Sequence, residues 1–149
     1  MAISNANVEA NRAIIEREND EINTGGSFDY IDELYAEEVI VNITRAGAEK
    51  PLASREAIKN LYQEWKIAFP DLRVEVEHEA AEGDIVMQYV TMRGTHKGVF
   101  RGVEPTGNEI AVPAFHMRRI KDGKIVETAS TSSFGTLLRQ IGVELPVES

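Results

Sequence analysis

The chain contains no cysteine, which excludes disulfide bonds, thiolate nucleophiles and cysteine-ligated metals together. Its three histidines lie on separate segments without His-x-Glu or His-x-x-x-His spacing, so we expect no metal site. No apolar run approaches the roughly 18 residues of a membrane span, and the amino-terminal residues lack the basic and apolar regions of a signal peptide. These absences predict a cytoplasmic protein that does not associate with membranes.

Basic residues are outnumbered by acidic ones, 16 against 25, and the formal net charge is −9. This balance repels phosphate backbones and anionic lipids, so we expect no nucleic-acid partner. We interpret the longest basic grouping, Arg118, Arg119 and Lys121, as a solvated strand end. Walker, dinucleotide-binding, nucleophile-elbow and kinase motifs are also missing.

The composition is otherwise that of an ordinary folded domain, with 42% apolar and 28% charged residues. A chain of 149 residues fits one domain with one core and one pocket, and we place that domain over residues 1–149.

Helical periodicity dominates the first half of the chain. Val8, Ile15 and Ile22 recur every seven residues and predict an amphipathic helix over residues 6–23. Ser27 can cap a short second helix, and Ser54 a third helix that Pro70 ends. The apolar positions of the third helix follow the spacing i, i+3, i+4, i+7 and i+11: Ile58, Leu61, Tyr62, Trp65 and Phe69.

The period changes to about two after Pro70 and indicates strands. Strands are predicted over 72–77, 85–96, 109–120 and 124–132, after an earlier short one at 39–41 and a polar loop at 46–53. Asp122-Gly123 is a strong hairpin signal, whereas Pro113 argues for a bulge or an edge strand. A short helix over 134–142 ends the pattern. We therefore expect an α+β protein with helices packed over a curved, mostly antiparallel sheet.

Five segments in order resemble the SnoaL-like polyketide cyclases of the nuclear-transport-factor-2-like superfamily. They are INTGGSFDYIDELYAEEV, AFPDLRVEVEHEAAEGDIV, RGTHKGVFRGVEPTGNEI, RRIKDGKIVE and LLRQIGV. The resemblance covers nearly the whole chain. It implies a cone-shaped α+β barrel, often dimeric through the outer face of its sheet, and a metal-free intramolecular aldol ring closure as the founding activity.

The same resemblance shows where this chain departs from the family. Ala129 and Ser130 fall where the cyclases carry a Trp-Asp pair whose aspartate is the general acid and base. Ser133 falls at a further acidic position, and Asn42 at a position often occupied by histidine. A serine hydroxyl does not titrate near neutrality, so it does not replace a carboxylate without another base to activate it.

His116 is the best remaining acid-base candidate, because it has the same strand parity as Ile110, Val112 and Ala114 and titrates near neutrality. The alternative is a histidine hydrogen-bonded within the core.

We assign His116 and Ser130 as catalytic candidates. The candidate substrate-binding residues are Asn42, Tyr62, Trp65, Tyr89, His96 and Ser132, although His96 suits bracing of its loop equally well. Apolar residues that could line the pocket, or simply form core, are Phe69, Met87, Met92, Phe100, Phe115 and Met117.

Three functions remain open from the sequence. The first is a cofactor-independent cyclase, isomerase or lyase that acts on a hydrophobic carbonyl compound. The second is a binding protein that kept the pocket and lost the acid-base aspartate. The third is an interaction domain that uses the face of its sheet, a surface that would also suit a homodimer, which we expect.

Overall fold

The computed structural model describes residues 5–44 and 54–145, which form four helices and a five-stranded sheet. The helices are α1 (Asn5–Thr24), α2 (Tyr30–Leu34), α3 (Arg55–Ala68) and α4 (Phe134–Gln140). The strands are β1 (Tyr35–Thr44), β2 (Arg73–Glu82), β3 (Ile85–Thr95), β4 (Glu109–Lys121) and β5 (Lys124–Ser132). The predicted polar loop over 46–53 lies outside the described residues.

Helices α1, α3 and α4 begin and end close to the residues that the sequence pattern predicts, whereas the N-cap of α2 is Asp29 rather than Ser27. In α1, Ile15 and Ile22 are buried, as their spacing requires. Ser54 caps α3, since its hydroxyl oxygen accepts a hydrogen bond from the Ala57 N–H at 3.1 Å. Gly142, with φ of +93°, ends the turn after α4 in the left-handed region. No helix within the described ranges is long and apolar enough to cross a membrane.

The sheet has the strand order β1-β5-β4-β3-β2. β1 is parallel to β5, and every other neighbouring pair is antiparallel. The β4–β5 hairpin turns at Asp122 and Gly123, whose φ values are +51° and +76°. The α+β prediction is confirmed, with the sheet left open between its two edge strands, β1 and β2.

Pro113 causes neither of the two irregularities that its presence in a strand predicts. It lies in β4, the central strand, and pairs in regular register with Thr91 of β3. Its carbonyl oxygen faces β5 and accepts a hydrogen bond from the Ser133 N–H at 3.2 Å. The nitrogen of Pro113, which carries no hydrogen, also faces β5. The β4–β5 pairing has already ended there, at Ala114 and Ser132. No ladder hydrogen bond is lost, so the central strand tolerates the proline.

The two faces of the sheet differ in what covers them. On the inner face, Ile110, Val112 and Ala114 of β4 are buried beneath the helices. On the outer face, Phe115 is 59% exposed and Met87 is 50% exposed. The core therefore lies on one side of the sheet, and any internal cavity must lie there too.

Candidate functional site

A cavity lies between the inner face of the sheet and helices α1 and α3. The space open to the centre of a water molecule is about 100 Å³, whereas one water needs roughly 10–15 Å³ of such space. Its apolar wall consists of Ile22, Val41, Ile58, Leu61, Trp65, Leu72, Val74, Met92 and Phe134, and its polar wall of Asn19, Tyr35, Tyr62, Arg101, His116, Arg118, Thr128, Ser130 and Ser132. Within the described part of the chain this wall contains no carboxylate side chain, so the cavity presents apolar surface together with hydroxyl, amide, imidazole and guanidinium groups.

His116 and Ser130 lie side by side on the cavity wall. They are paired residues of the antiparallel strands β4 and β5, and Ser132 lies two residues further along β5 on the same face. The prediction that strand parity turns His116 inward is confirmed, and Ser130 and Ser132 lie on the same wall. Their chemical roles stay predictions.

Burial and the nearby Arg118 guanidinium lower the pKa of His116 to about 3. Burial acts because a charged imidazolium loses its hydration, and Arg118 acts because it is a like charge. His116 is therefore a neutral imidazole throughout the physiological pH range, and the expectation that it titrates near neutrality was wrong. In that form one ring nitrogen accepts a hydrogen bond and the other donates one.

Arg118 is buried, and its interpretation as part of a solvated strand end was wrong. Its side chain is 5% exposed, and its Nε donates to Oε1 of Glu18 at 3.0 Å. Glu18 is fully buried, and its other carboxylate oxygen accepts a hydrogen bond from the hydroxyl of Tyr35. Burial alone would lower the pKa of Arg118, but the opposing charge of Glu18 raises it, so the guanidinium stays charged.

The sequence carried a signal for these buried polar residues. Glu18 and Asn19 fall between Ile15 and Ile22 at the spacing i, i+3, i+4 and i+7, which is the apolar stripe of α1. Arg118 has the strand parity of His116, so the rule that turned His116 inward applies equally to it. A charged residue is rarely buried unless it is paired with an opposite charge. Here Glu18 and Arg118 are each other's partner.

Asn19 connects the cavity to the protein surface through a chain of hydrogen bonds. Its Nδ2 donates to Oε1 of the buried Gln88 at 3.0 Å, and Nε2 of Gln88 donates to Oε1 of Glu79 at 2.7 Å. Glu79 in turn accepts from Nε of Arg12 at 2.9 Å. The chain fixes the amide of Asn19 at the cavity wall.

Tyr62 and Trp65 of α3 line the cavity as predicted. The ring of Trp65 contacts Phe69 and Phe100 at centroid distances of 5.7 Å and 5.4 Å. Phe69 and Phe100 themselves are fully buried core residues and do not reach the cavity wall. Phe69 and Phe100 pack against the side of Trp65 that faces away from the cavity and restrict its rotamer.

Arg101 belongs to the loop between β3 and β4 and also contributes to the cavity wall. Its guanidinium lies over the rings of Phe100 and Phe134, 5.2 Å and 5.1 Å from their centroids. Nε of Arg101 donates to Glu64 of α3 at 2.6 Å. These contacts tie the loop to α3 and α4.

Tyr89 does not line the cavity, and its predicted position there was wrong. It lies on the outer face of β3, where its ring contacts Phe115 at 4.8 Å and stacks on His78 at 6.3 Å. Its neighbours Gln88 and Val90 are the residues that point inward and are buried. Met87, Phe115 and Met117 share the outer face with Tyr89, so they are not part of the cavity wall either.

Asn42 and His96 are also away from the cavity. Asn42 follows the cavity residue Val41, so strand parity turns it outward, where its Nδ2 donates to Glu127 at 3.3 Å. His96 is fully buried, and its Nδ1 accepts from the Thr106 N–H at 3.2 Å. The backbone of His96 also exchanges hydrogen bonds with Gly107 and Asn108. His96 therefore braces the β3–β4 loop, as its alternative interpretation predicts.

The family model for SnoaL-like polyketide cyclases matches residues 13–141. The chain belongs to the SnoaL-like polyketide cyclase family. No curated protein shows significant sequence similarity to it.

Solved structures of similar fold include several relatives. IdmH of Streptomyces antibioticus, provisionally described as a polyketide cyclase, is 29% identical with a TM-score of 0.76, over 89% of this chain and 99% of its own. A SnoaL-like protein of Jannaschia sp. CCS1, with the same provisional description, is 21% identical with a TM-score of 0.84, over 97% and 99% of the two chains. AclR of Streptomyces galilaeus, provisionally described as a hydroxylase, is 26% identical with a TM-score of 0.82, over 95% and 86%.

The site of this SnoaL-like protein differs from the pattern that the family resemblance implies. Ser130 presents a hydroxyl to the cavity where an aspartate is expected. Ser133 precedes α4, and its hydroxyl lies 2.6 Å from that of Thr136. No group of three or more His, Asp or Glu side chains in residues 5–44 and 54–145 is arranged to hold a metal ion.

Proposed function

We propose that the protein binds a hydrophobic β-dicarbonyl compound in its cavity and catalyses cyclisation or isomerisation of that compound, with His116 as acid and base. The observation that supports this proposal most is the pairing of His116 with Ser130 on the wall of a largely apolar cavity. Family membership supports a cyclase-type reaction. The step needs no cofactor, because one imidazole can both take and return the proton.

The proposed reaction starts from the neutral imidazole. His116 takes a proton from the carbon between two carbonyl groups, and the C–H electron pair becomes an enolate. The same carbon then attacks another carbonyl carbon of the molecule, a C–C bond forms, and the π electrons move to that carbonyl's oxygen. The imidazolium returns its proton to this oxygen, which becomes a hydroxyl group. Ser130 donates a hydrogen bond to the reacting carbonyl in this scheme.

The lowered pKa of His116, about 3, restricts the substrate class. Such an imidazole is available as a free base at neutral pH, but it is a weak base. A C–H bond flanked by two carbonyl groups is far more acidic than one beside a single carbonyl, so proton transfer from it to such a base is much less unfavourable. The proposed substrate is therefore a β-dicarbonyl compound rather than a simple ketone.

Proton exchange on a model compound tests this function without knowledge of the natural substrate. Ethyl benzoylacetate in D₂O loses the NMR signal of its central methylene protons as they exchange, and we expect the protein to accelerate that loss. H116Q should reduce the acceleration by about a hundredfold or more, whereas H78Q, on the outer face, should not change it. Full acceleration by H116Q would refute the assignment of His116.

A second candidate is a binding protein without catalysis. The weak basicity of His116 and the serine at the position of the family's aspartate favour it. This function predicts that a compound bound in the cavity is recovered chemically unchanged, with no exchange of its methylene protons above the rate in buffer. Acceleration of exchange by the wild-type protein, lost in H116Q, would exclude it.

The proposed assembly is a homodimer through the outer face of the sheet. Met87 and Phe115 are 50% and 59% exposed there, and the Tyr89 ring contacts Phe115 on the same face. We call these three residues the outer-face patch. They lie on β3 and β4 within the sheet, so a second copy can cover them face to face without pairing of strand edges.

A further inference from the structure

Arg118 has hydrogen-bond donors that its protein partners do not use. Its Nε donates to Glu18 at 3.0 Å, its Nη1 to the Met117 carbonyl oxygen at 3.3 Å, and its Nη2 to the Tyr62 hydroxyl at 3.5 Å. A guanidinium carries five N–H groups. These contacts use three of them, and the 3.5 Å contact to Tyr62 is at the long limit of a hydrogen bond. Because Arg118 lines the cavity, the remaining N–H groups are available to an oxygen atom of a ligand.

Glu18 fixes the orientation of Arg118 without competing for the ligand. Both of its carboxylate oxygens are engaged, one by Arg118 and the other by the Tyr35 hydroxyl, and Glu18 is not part of the cavity wall. The ion pair is neutral overall, so an uncharged molecule can enter without facing an isolated buried charge. A negative charge that develops on the ligand next to the guanidinium is then stabilised in a site of low dielectric.

Tyr62 supplies a second donor at the same place. Burial and the nearby charge of Glu18 raise the pKa of its hydroxyl, so the proton stays on at neutral pH. The hydroxyl lies at the cavity wall beside Arg118, and its proton can rotate toward an oxygen in the cavity.

Arg118 and His116 are placed so that both can act on one dicarbonyl unit of a ligand. The two residues lie two positions apart on the inner face of β4, roughly 7 Å along the strand. Nη1 of Arg118 donates to the carbonyl oxygen of Met117, the residue between the two. A base at His116 and donors at Arg118 can therefore act on one dicarbonyl unit, the base on its carbon and the donors on an oxygen.

We infer that Arg118, oriented by Glu18 and assisted by the Tyr62 hydroxyl, binds the ligand oxygen that becomes negatively charged when the enolate forms. This inference rests on the proposed function and names the group that would stabilise its intermediate. Arg118 is then a catalytic residue and Glu18 a positioning residue.

A pair of probes separates binding of the negative oxygen from binding of the apolar body. The first probe, 5-phenyl-1,3-cyclohexanedione, is a stable enolate at neutral pH, and the second is its neutral O-methyl enol ether. Trp65, the one tryptophan of the chain, lines the cavity and reports binding of both by its fluorescence. We expect wild-type protein to bind the enolate about tenfold or more tightly than the ether.

Variants assign this preference to Arg118. E18Q/R118M should bring the two dissociation constants within about twofold, because it removes the guanidinium without leaving a buried carboxylate unpaired and keeps an acceptor for Tyr35. R119M, the next residue on the outer face, should keep the wild-type preference. If the double variant does not fold, Y62F retains the ion pair and should still lower the preference measurably.

Equal affinities of wild-type protein for the two probes would overturn the inference, as would a preference retained by E18Q/R118M. Equal affinities together with methylene exchange that depends on His116 would remove the role of Arg118 and leave the proposed function standing. A clear enolate preference without methylene exchange would support the role of Arg118 and remove the proposed catalysis.

Discussion

His116 is the residue on which the proposed chemistry depends, and its surroundings determine how it can act. Burial in the inner wall and the charge of Arg118 keep its imidazole neutral, and Ser130 lies beside it on the next strand. A neutral imidazole can accept a proton without first losing one. The same surroundings make protonation of His116 in the native state costly, which links its charge to the stability of the fold.

Acid should destabilise the protein through His116. The unfolded chain protonates this histidine near its ordinary pKa of 6.5, whereas the native state keeps it neutral down to about pH 3. Between these values the unfolded state binds more protons, so stability falls as the pH falls. Urea unfolding at several pH values should show wild-type protein losing stability relative to H116Q, by up to roughly 1.4 kcal/mol per pH unit below pH 6.

H78Q is the matched control for this prediction, because His78 is exposed on the outer face. It should keep the pH dependence of the wild-type protein. Parallel stability curves for wild-type protein and H116Q between pH 6 and pH 4 would contradict the burial of a neutral His116.

At the scale of elements, the β3–β4 loop is held against the end of α3 by a close backbone contact. The N–H groups of Lys97 and Gly98 both donate to the Ala68 carbonyl oxygen, at 2.9 Å and 3.1 Å. A Cβ at Gly98 would lie 2.0 Å from the carbonyl oxygen of Ile67. The same loop carries Arg101 to the cavity wall, so this contact also positions part of the site.

G98A should therefore destabilise the protein by at least about 2 kcal/mol, because neither the helix end nor the loop can move without losing these hydrogen bonds. G26A is the control, since a Cβ at Gly26 meets nothing within 4 Å. Thermal unfolding of both variants measures the difference. A G98A variant as stable as G26A would show that the loop is not held there.

The elements that the sequence predicted well are those with a clear period. The helix over 6–23, the Ser54 cap and the Asp122-Gly123 turn all depend on local chemistry and are confirmed. Pro113 was misjudged because its effect depends on where the neighbouring strand ends, which is not a local property. Arg118 was misjudged for a similar reason, since its buried partner Glu18 is 100 residues away in the sequence.

Strand parity also explains how far the candidate site could be predicted. Parity turns His116 to the inner face, as predicted from its apolar neighbours, and Ser130 and Ser132 on β5 lie on the same wall. Tyr89 and Asn42 were expected inside from their type and from the family resemblance, and parity turns both outward. Parity predicts which face of the sheet a residue lies on but not the shape of the space in front of it. The extent of the cavity could therefore not be predicted from the sequence.

At the scale of the whole molecule, the sheet separates two surfaces with different proposed roles. The inner face forms the cavity, and the outer face carries the apolar outer-face patch. The net charge of −9 makes two copies of the chain repel each other. We expect burial of the outer-face patch to outweigh this repulsion, because contiguous exposed apolar surface marks an interaction site.

Sedimentation at micromolar concentration should show a species of about twice 16.6 kDa. F115E should convert it to the monomer, because a charge at the centre of the patch would be desolvated in the dimer. V99E is the control, since Val99 is 47% exposed in the β3–β4 loop rather than on the sheet. A wild-type species of 16.6 kDa alone would refute the dimer.

A crystal structure of a complex is the decisive test of whether a carbonyl compound reacts at His116 inside the cavity. The 2,2-dimethyl derivative of ethyl benzoylacetate has no exchangeable methylene proton and would remain unreacted in the site. We expect its phenyl ring against Trp65 and a carbonyl oxygen about 2.6–3.2 Å from His116 or Ser130. Binding on the outer face, or in the cavity with both carbonyl groups turned away from His116 and Ser130, would refute a reaction at His116.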